Sequence, residues 1–247
     1  MDNKKEELQK VAEGYNKIAW EYDNGYKDVF SRAEEHVVGN LLSALVDEGA
    51  GGNILDMGCG TGLLLDLLRN ESIGSRYLGY DISQAMLDVA STKRRGYRDL
   101  NKFMCMAHED IVPEDYEDME FHFSLFGSPS YSELDTFLTI VKNLREASDY
   151  DATGFFMFYG NNPRCAVEGA MIHSLELLRE RAQQIIGYDI RVFPLVTNKI
   201  STMRRHSFAG MVDKLYDDIR TTKPNPRYNY YSILAYGPQV SRHIGIR

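Results

Sequence analysis

The chain has 247 residues and a formal net charge of -8, with 43% hydrophobic and 26% charged residues, which fits one large soluble domain with a substantial core. The acidic balance and the shortness of the basic clusters (Lys93-Arg94-Arg95 with Arg98, and Arg204-Arg205) argue against a nucleic-acid partner, and the scattered Cys59, Cys105 and Cys165 support neither a disulfide framework nor a zinc site. No apolar run approaches the roughly 18 residues that a spanning helix needs, and the first residues lack an apolar leader, so no membrane partner and a reducing cytoplasm are the expectation.

Residues 1–48 read as an N-terminal helical cap with a break near Asn24-Gly25. Val29, Ala33, Val37, Leu41 and Leu45 form an apolar stripe, and glycines at 49, 51 and 52 end it. From Asn53 to 160, strands and helices alternate. Ile54 to Met57 is strand-like, and Leu63 to Arg69 helical. Tyr77 to Tyr80 is strand-like again, ahead of a helix from Gln84 capped by Ser83. Phe103–Met106, Phe121–Phe126 and Phe155–Tyr159 are further strands. Ser132 to Asp135 resembles a capping box before the stripe Leu134, Phe137, Leu138, Val141 and Leu144. This alternation predicts right-handed βαβ units and an α/β, Rossmann-like, mostly parallel seven-stranded sheet with helices on both faces.

After residue 160 the rhythm breaks. Asn162, Pro163 and Gly187 bracket a predicted long helix, so 161–200 reads as a lid insertion, with Ile190–Phe193 strand-like inside it. Residues 201–247 complete the sheet: a helix near 202–215, then strands near 217–221 and 229–236 around Lys-Pro-Asn-Pro, expected as a terminal antiparallel hairpin. The whole is expected to be a single domain. The amphipathic lid could pack on its own sheet or on a neighbour's, which leaves a homodimer open.

Three signals carry the chemistry. The first is Ile54-Leu-Asp-Met-Gly-Cys-Gly-Thr-Gly62, a strand running into a helix through a G-x-G-x-G turn, where missing Cβ atoms let a ligand lie against the backbone. The second is Asp81, about 20 residues on at the end of the next strand, where a carboxylate can accept from both hydroxyls of a ribose. The third is Glu109-Asp110-Ile111, where a backbone N–H and a carboxylate could meet an adenine ring.

Asp56 to Gly62 resembles motif I of class I S-adenosylmethionine (SAM)-dependent methyltransferases, and Asp81 matches the acidic residue ending their second strand. Tyr15-Asn-Lys-Ile-Ala-Trp-Glu-Tyr-Asp23 is similar to a segment of their small-molecule branch. The resemblance covers roughly residues 11–160, and implies SAM as cofactor with S-adenosylhomocysteine (SAH) as product. It implies that Asp56, Gly58, Cys59 and Gly60 hold the methionine portion and that Asp81 takes the ribose. Ile82 and Met86 would flank the adenine, and Phe126 would line the cofactor or the reaction centre. Tyr15 and Tyr22 would close over the sulfonium. The family's D-A-x-D is Ala107-His-Glu-Asp110 here, leaving Glu109 and Asp110 as alternative adenine contacts. Leu125 to Pro129 replaces the motif used on adenine or glutamine amides, which disfavours those acceptors.

The expected activity is methyl transfer to nitrogen or oxygen of a small molecule. Its pocket is expected among Trp20, Phe126, Tyr131, Tyr159, Tyr15 and the lid helix, with Tyr15, Tyr131 and His173 as candidate catalytic groups; His206 is a weaker candidate base. Trp20, Tyr228, Tyr230 and Tyr231 have an equally good reading as packing residues. No metal is expected. The alternatives are a methyltransferase acting on RNA or protein, and a SAM-fold partner subunit without catalysis.

Overall fold

The computed structural model describes residues 2–47, 52–68, 76–93, 101–161, 167–196, 212, 230–238 and 240. Helix α1 (Asp2–Ile18) and helix α2 (Val29–Asp47) flank a 3-10 turn at Tyr22–Tyr26, with the break where the glycine of Asn24-Gly25 falls. Then come β1 (Ile54–Met57), α3 (Leu63–Leu67), β2 (Tyr77–Asp81), α4 (Gln84–Lys93), β3 (Asn101–Cys105), β4 (Phe121–Ser124) and α5 (Leu134–Ala147). β5 (Thr153–Asn161), α6 (Leu175–Ile185), β6 (Ile190–Val196) and β7 (Tyr230–Tyr236) follow.

The strands form one seven-stranded sheet in the order β3-β2-β1-β4-β5-β7-β6. The first five are parallel, and β7 runs antiparallel to both β5 and β6. β1 and β4 are buried throughout, as strands covered on both faces must be. On one face α2 and α3 pack their apolar side chains against β1, β4 and β5; on the other, α5 and α6 do the same. The predicted α2 stripe is this contact: Ala33, Val37, Leu41 and Leu45 are buried, each worth on the order of 1–3 kcal/mol of apolar burial. The switch in strand order between β1 and β4 opens a crevice at the carboxyl ends of the strands, which is where such sheets bind ligands.

Three local expectations change. β7 lies antiparallel between β5 and β6, and β6 falls within 161–200, the stretch expected as a lid; β6 and β7 are far apart in the chain and do not form a tight hairpin. The second strand expected near 217–221 and the helix near 202–215 fall almost wholly outside the described residues. The lid helix begins only at Leu175, capped by Ser174, whose hydroxyl accepts from Leu177 N at 3.1 Å. Residues 167–174 are irregular, because tertiary partners take their backbone groups: Met171 N donates to Ser130 O at 2.7 Å, and His173 N to Tyr159 O at 3.1 Å. Asn162 and Pro163 lie outside the described residues. At α5 the cap is Glu133 rather than Ser132, its carboxylate accepting from Asp135 N and Thr136 N.

Candidate active site

The turn after β1 is shaped by three left-handed residues, Gly58, Gly60 and Gly62, with φ of 74°, 53° and 82°. Gly58 N and Cys59 N both donate to Tyr80 O, at 2.8 and 2.9 Å, which folds the turn against the end of β2. The glycines serve different ends. A Cβ on Gly58 would lie 1.7 Å from Ser128 Oγ, so the protein itself fills that space. A Cβ on Gly60 would meet no protein atom within 4 Å. Gly60 thus leaves a clear surface beside a cavity of about 410 Å3, lined by the ends of β1 and β2 and roofed by α1 and its following turn.

Two carboxylates mark the wall. Asp56 is 2% exposed and accepts from Tyr77 Oη at 2.6 Å; burial pushes its pKa up to about 7, against the pull of that hydrogen bond. Asp81 accepts from Gly60 N (2.9 Å) and Ser83 N (2.8 Å). Burial still holds it up at about 6, because the backbone donors of Ser83, Gly60 and Ile82 offset only part of the lost hydration. Asp23 ties the roof to the same turn: it accepts from Thr61 Oγ1 at 2.7 Å and pairs with Lys93.

Ile82, Met86, Met106 and Glu109 line the cavity beyond Asp81. Both Glu109 carboxylate oxygens are buried and, among the described residues, make no hydrogen bond, although Lys4 Nζ stands 3.3 Å from Oε1. Asp110 turns away and accepts from Ala107 N at 3.1 Å, and Ile111 is packed in the core. Of the alternatives 109 and 110, Glu109 is the one on the cavity.

The roof is aromatic. Tyr15 Oη donates to Tyr131 Oη (2.9 Å), which donates to Val167 O (2.8 Å). The Tyr15 ring stands edge-on to both Tyr131 and Tyr22. Tyr159 stacks on Tyr231 at 5.7 Å, and Phe126 meets Tyr231 edge-on. Phe126 has φ of 49°, a strained conformation for a bulky residue, and Gly127 follows at 91° because the Tyr159 ring leaves no room for a Cβ. Burial raises the Tyr15 and Tyr22 hydroxyls far above the usual phenol range, so both stay protonated.

Tyr15, Tyr22, Asp56, Gly58, Cys59, Gly60, Asp81, Ile82, Met86, Glu109, Phe126, Tyr131 and Tyr159 therefore share one cavity. Four candidates stand outside it: Asp110 and Ile111, as described above, and Trp20 and His173. Trp20 is 65% exposed, and His173 is buried against Phe158, its Nε2 without a hydrogen bond among the described residues. Burial also lowers the His173 pKa. Tyr231, read as packing, lines the cavity, as do His108 and Ser128, which sequence reasoning passed over. Only the departure from D-A-x-D at Ala107-His108 hinted at them. His206 lies outside the described residues. Among the described residues, no group of three or more His, Cys, Asp or Glu side chains could hold a metal ion, and no helix is long and apolar enough to cross a membrane.

Residues 55–125 match the family model described as a methyltransferase domain. The chain is 30% identical over 124 residues to an uncharacterised protein of Methanocaldococcus jannaschii, covering 50% of this chain and 43% of that one. It is 36% identical over 105 residues to malonyl-[acyl-carrier protein] O-methyltransferase of Hahella chejuensis, covering 42% and 30%. The chain thus spans less than half the length of either relative. In fold it is similar to magnesium protoporphyrin IX methyltransferase from Synechocystis, solved with bound SAM: TM-score 0.58, 14% identity, covering 94% of this chain and 97% of that one. The matched methyltransferase domain contains the glycine turn and Asp81, and the 3-2-1-4-5-7-6 sheet gives the whole chain a fold similar to that of a solved methyltransferase.

Proposed function

We propose that this chain binds SAM in the cavity between the glycine turn and the tyrosine roof, and transfers its methyl group to nitrogen or oxygen of a small-molecule acceptor. One observation carries the reading: Gly60 opens clear space beside two carboxylates, the buried Asp56 and the half-buried Asp81, under a lid of hydroxyl-bearing rings. The cradle fits the cofactor chemically. Asp81 would take the ribose hydroxyls, Ile82 and Met86 the adenine faces, Glu109 its polar edge, and Asp56 with the turn backbone the methionine portion.

When bound, SAM would supply a methyl carbon already activated by its sulfonium, with sulfur as the leaving group. The protein's part is to align and to exclude water, which can lower a barrier by up to about 7–11 kcal/mol. Tyr15 and Tyr22 line the cavity, where their hydroxyl oxygens would suit a cationic centre. Tyr15 donates its hydrogen bond to Tyr131, and Tyr131 its own to Val167 O, so the Tyr15 oxygen, which lines the cavity, is left to act as an acceptor. That oxygen would orient an N–H or O–H of the acceptor; the protonated Tyr15 does not act as a base, so the proton displaced by the methyl group passes to solvent. Tyr131, Tyr159 and Phe126 shape the acceptor end. His173 and Trp20 have no part in this reading.

A second reading is an acceptor delivered on a carrier protein, favoured by the printed activity of the Hahella relative on a malonyl-[acyl-carrier protein]. Both are tested by incubating the chain with SAM and a panel of free amines, phenols, carboxylic acids and carrier-bound acids, scored by SAH release and product mass. Turnover of a free acceptor supports the first, and turnover of the carrier-bound form alone the second. Cofactor binding without any turnover returns the partner-subunit alternative.

A further inference from the structure

One buried titratable group in the cavity has no role in the reaction described above. His108 sits in the 3-10 turn after β3, 8% exposed, its ring edge-on to Tyr80 (5.5 Å) and Phe137 (5.1 Å). Nδ1 is 2.9 Å from Tyr80 Oη and Nε2 is 3.3 Å from Ser128 Oγ. The ring bridges the rim after β3 to the loop after β4, directly beneath the glycine turn: a Cβ on Gly58 would touch both Ser128 Oγ and, at 3.5 Å, His108 Cε1.

The bonding pattern assigns the tautomer. Burial pushes the imidazole down to about 4, so near neutrality it is uncharged, with one N–H donor and one bare nitrogen. Among the described residues the buried Tyr80 hydroxyl meets only Nδ1, and a buried phenol must place its proton. Tyr80 therefore donates to Nδ1, and Nε2–H donates to Ser128, where Oγ at 3.3 Å and the backbone share it. The serine oxygen is then occupied as an acceptor, and its own proton is free to be given to something in the cavity that Ser128 lines.

We propose that His108 is a positioning residue acting through Ser128: its Nε2–H fixes the serine oxygen against the glycine turn and leaves the serine O–H to donate to an oxygen or nitrogen of the bound cofactor. The inference rests on SAM occupying this cavity. A neutral donor here suits both SAM and SAH, because it places no second positive charge beside the sulfonium.

The test is calorimetric titration of SAH into the full chain and four variants: Ser128→Ala, His108→Asn, His108→Gln and the double variant His108→Asn/Ser128→Ala. Asparagine offers an oxygen to Tyr80 but is too short to reach Ser128, whereas the glutamine amide N–H reaches where Nε2 does. Ser128→Ala and His108→Asn are expected each to weaken SAH about five- to tenfold, the value of one hydrogen bond. His108→Gln stays within about twofold of wild type, and the double variant is no weaker than either single, because both changes remove one shared interaction.

Additive losses, or His108→Gln as weak as His108→Asn, would mean that the ring only fills space, and they overturn the proposal. Should the histidine variants fail to fold, Ser128→Ala decides alone: unchanged affinity overturns it, and a loss of the expected size supports it. Wild type binding no SAH overturns the cofactor reading and this inference together; wild type binding with all variants unaffected overturns only the inference.

Discussion

The two sides of the cavity are built on different principles. The wall at the ends of β1 and β2 is made of backbone: left-handed glycines, N–H groups donating to Tyr80 O and Asp81, and two carboxylates held in low dielectric. The roof is made of side chains from separate elements: Tyr15 from α1, Tyr131 from the loop after β4, Tyr159 from β5 and Tyr231 from β7. A backbone wall cannot be altered without altering the fold around it, so it suits the constant ligand. Rings on separate elements can be exchanged one at a time, which suits the end of the cavity that must select an acceptor.

The sharpest way to break this contrast is within the wall itself. Gly58→Ala drives a methyl group into Ser128 and holds alanine at φ near 74°. Overpacking and left-handed strain together cost about 3 kcal/mol, which lowers Tm by roughly 10 °C in a chain of this size. Gly60→Ala meets no protein atom. Its melting temperature falls by much less, while SAH affinity falls more than its stability suggests, because the methyl enters the ligand's space. Equal stability losses in thermal melts would contradict the division of labour between the two glycines.

On the roof, Tyr15→Phe keeps the ring and removes the hydroxyl chain to Tyr131. It is expected to lower kcat about tenfold, the effect of one hydrogen bond felt at the transition state, with SAH affinity nearly unchanged. Trp20→Ala, outside the cavity, is the control and leaves both values as they were. A large change in SAH affinity with Tyr15→Phe would move the tyrosine from the acceptor end to the cofactor.

A smaller effect links the carboxylates to pH. Burial raises Asp56 to about 7 and Asp81 to about 6 in the ligand-free protein, against an unfolded value of 3.8. The folded state holds these protons more tightly than the unfolded chain. The stability contributed is therefore full below pH 4 and lost as pH rises through 6 to 7. Ligand affinity moves the other way, because ribose hydroxyls bond best to an ionised Asp81. SAH binding is expected to tighten about tenfold from pH 5 to 8, and Asp81→Asn should flatten that slope. An unchanged slope in the variant would assign the titration elsewhere.

The same contrast explains what could be read from the sequence. The glycine turn, Asp81 and the α2 and α5 stripes were legible because local backbone geometry and helical spacing dictate them. Glu109 and Asp110 were inseparable, since both follow the same strand and only the turn's own hydrogen bond to Ala107 N draws Asp110 away. His108 and Ser128 escaped notice because their meaning lies in a contact across 20 positions. His173 looked like a lid-helix residue from the Asn162–Pro163 bracket. Contacts to Ser130, Tyr131 and Tyr159 instead hold 167–174 out of a helix and bury the imidazole against Phe158. β6 was legible as a strand, but its place on the sheet edge depends on pairing with a strand about 40 residues later.

The central claim is that the wall binds SAM through Asp81. Calorimetric titration of SAM and SAH into wild type and Asp81→Ala tests it most directly. The account predicts micromolar binding that weakens by about a hundredfold in the variant, as expected when a carboxylate accepting charge-assisted hydrogen bonds is removed. Equal binding by the two proteins, or none by a well-folded wild type, would contradict it.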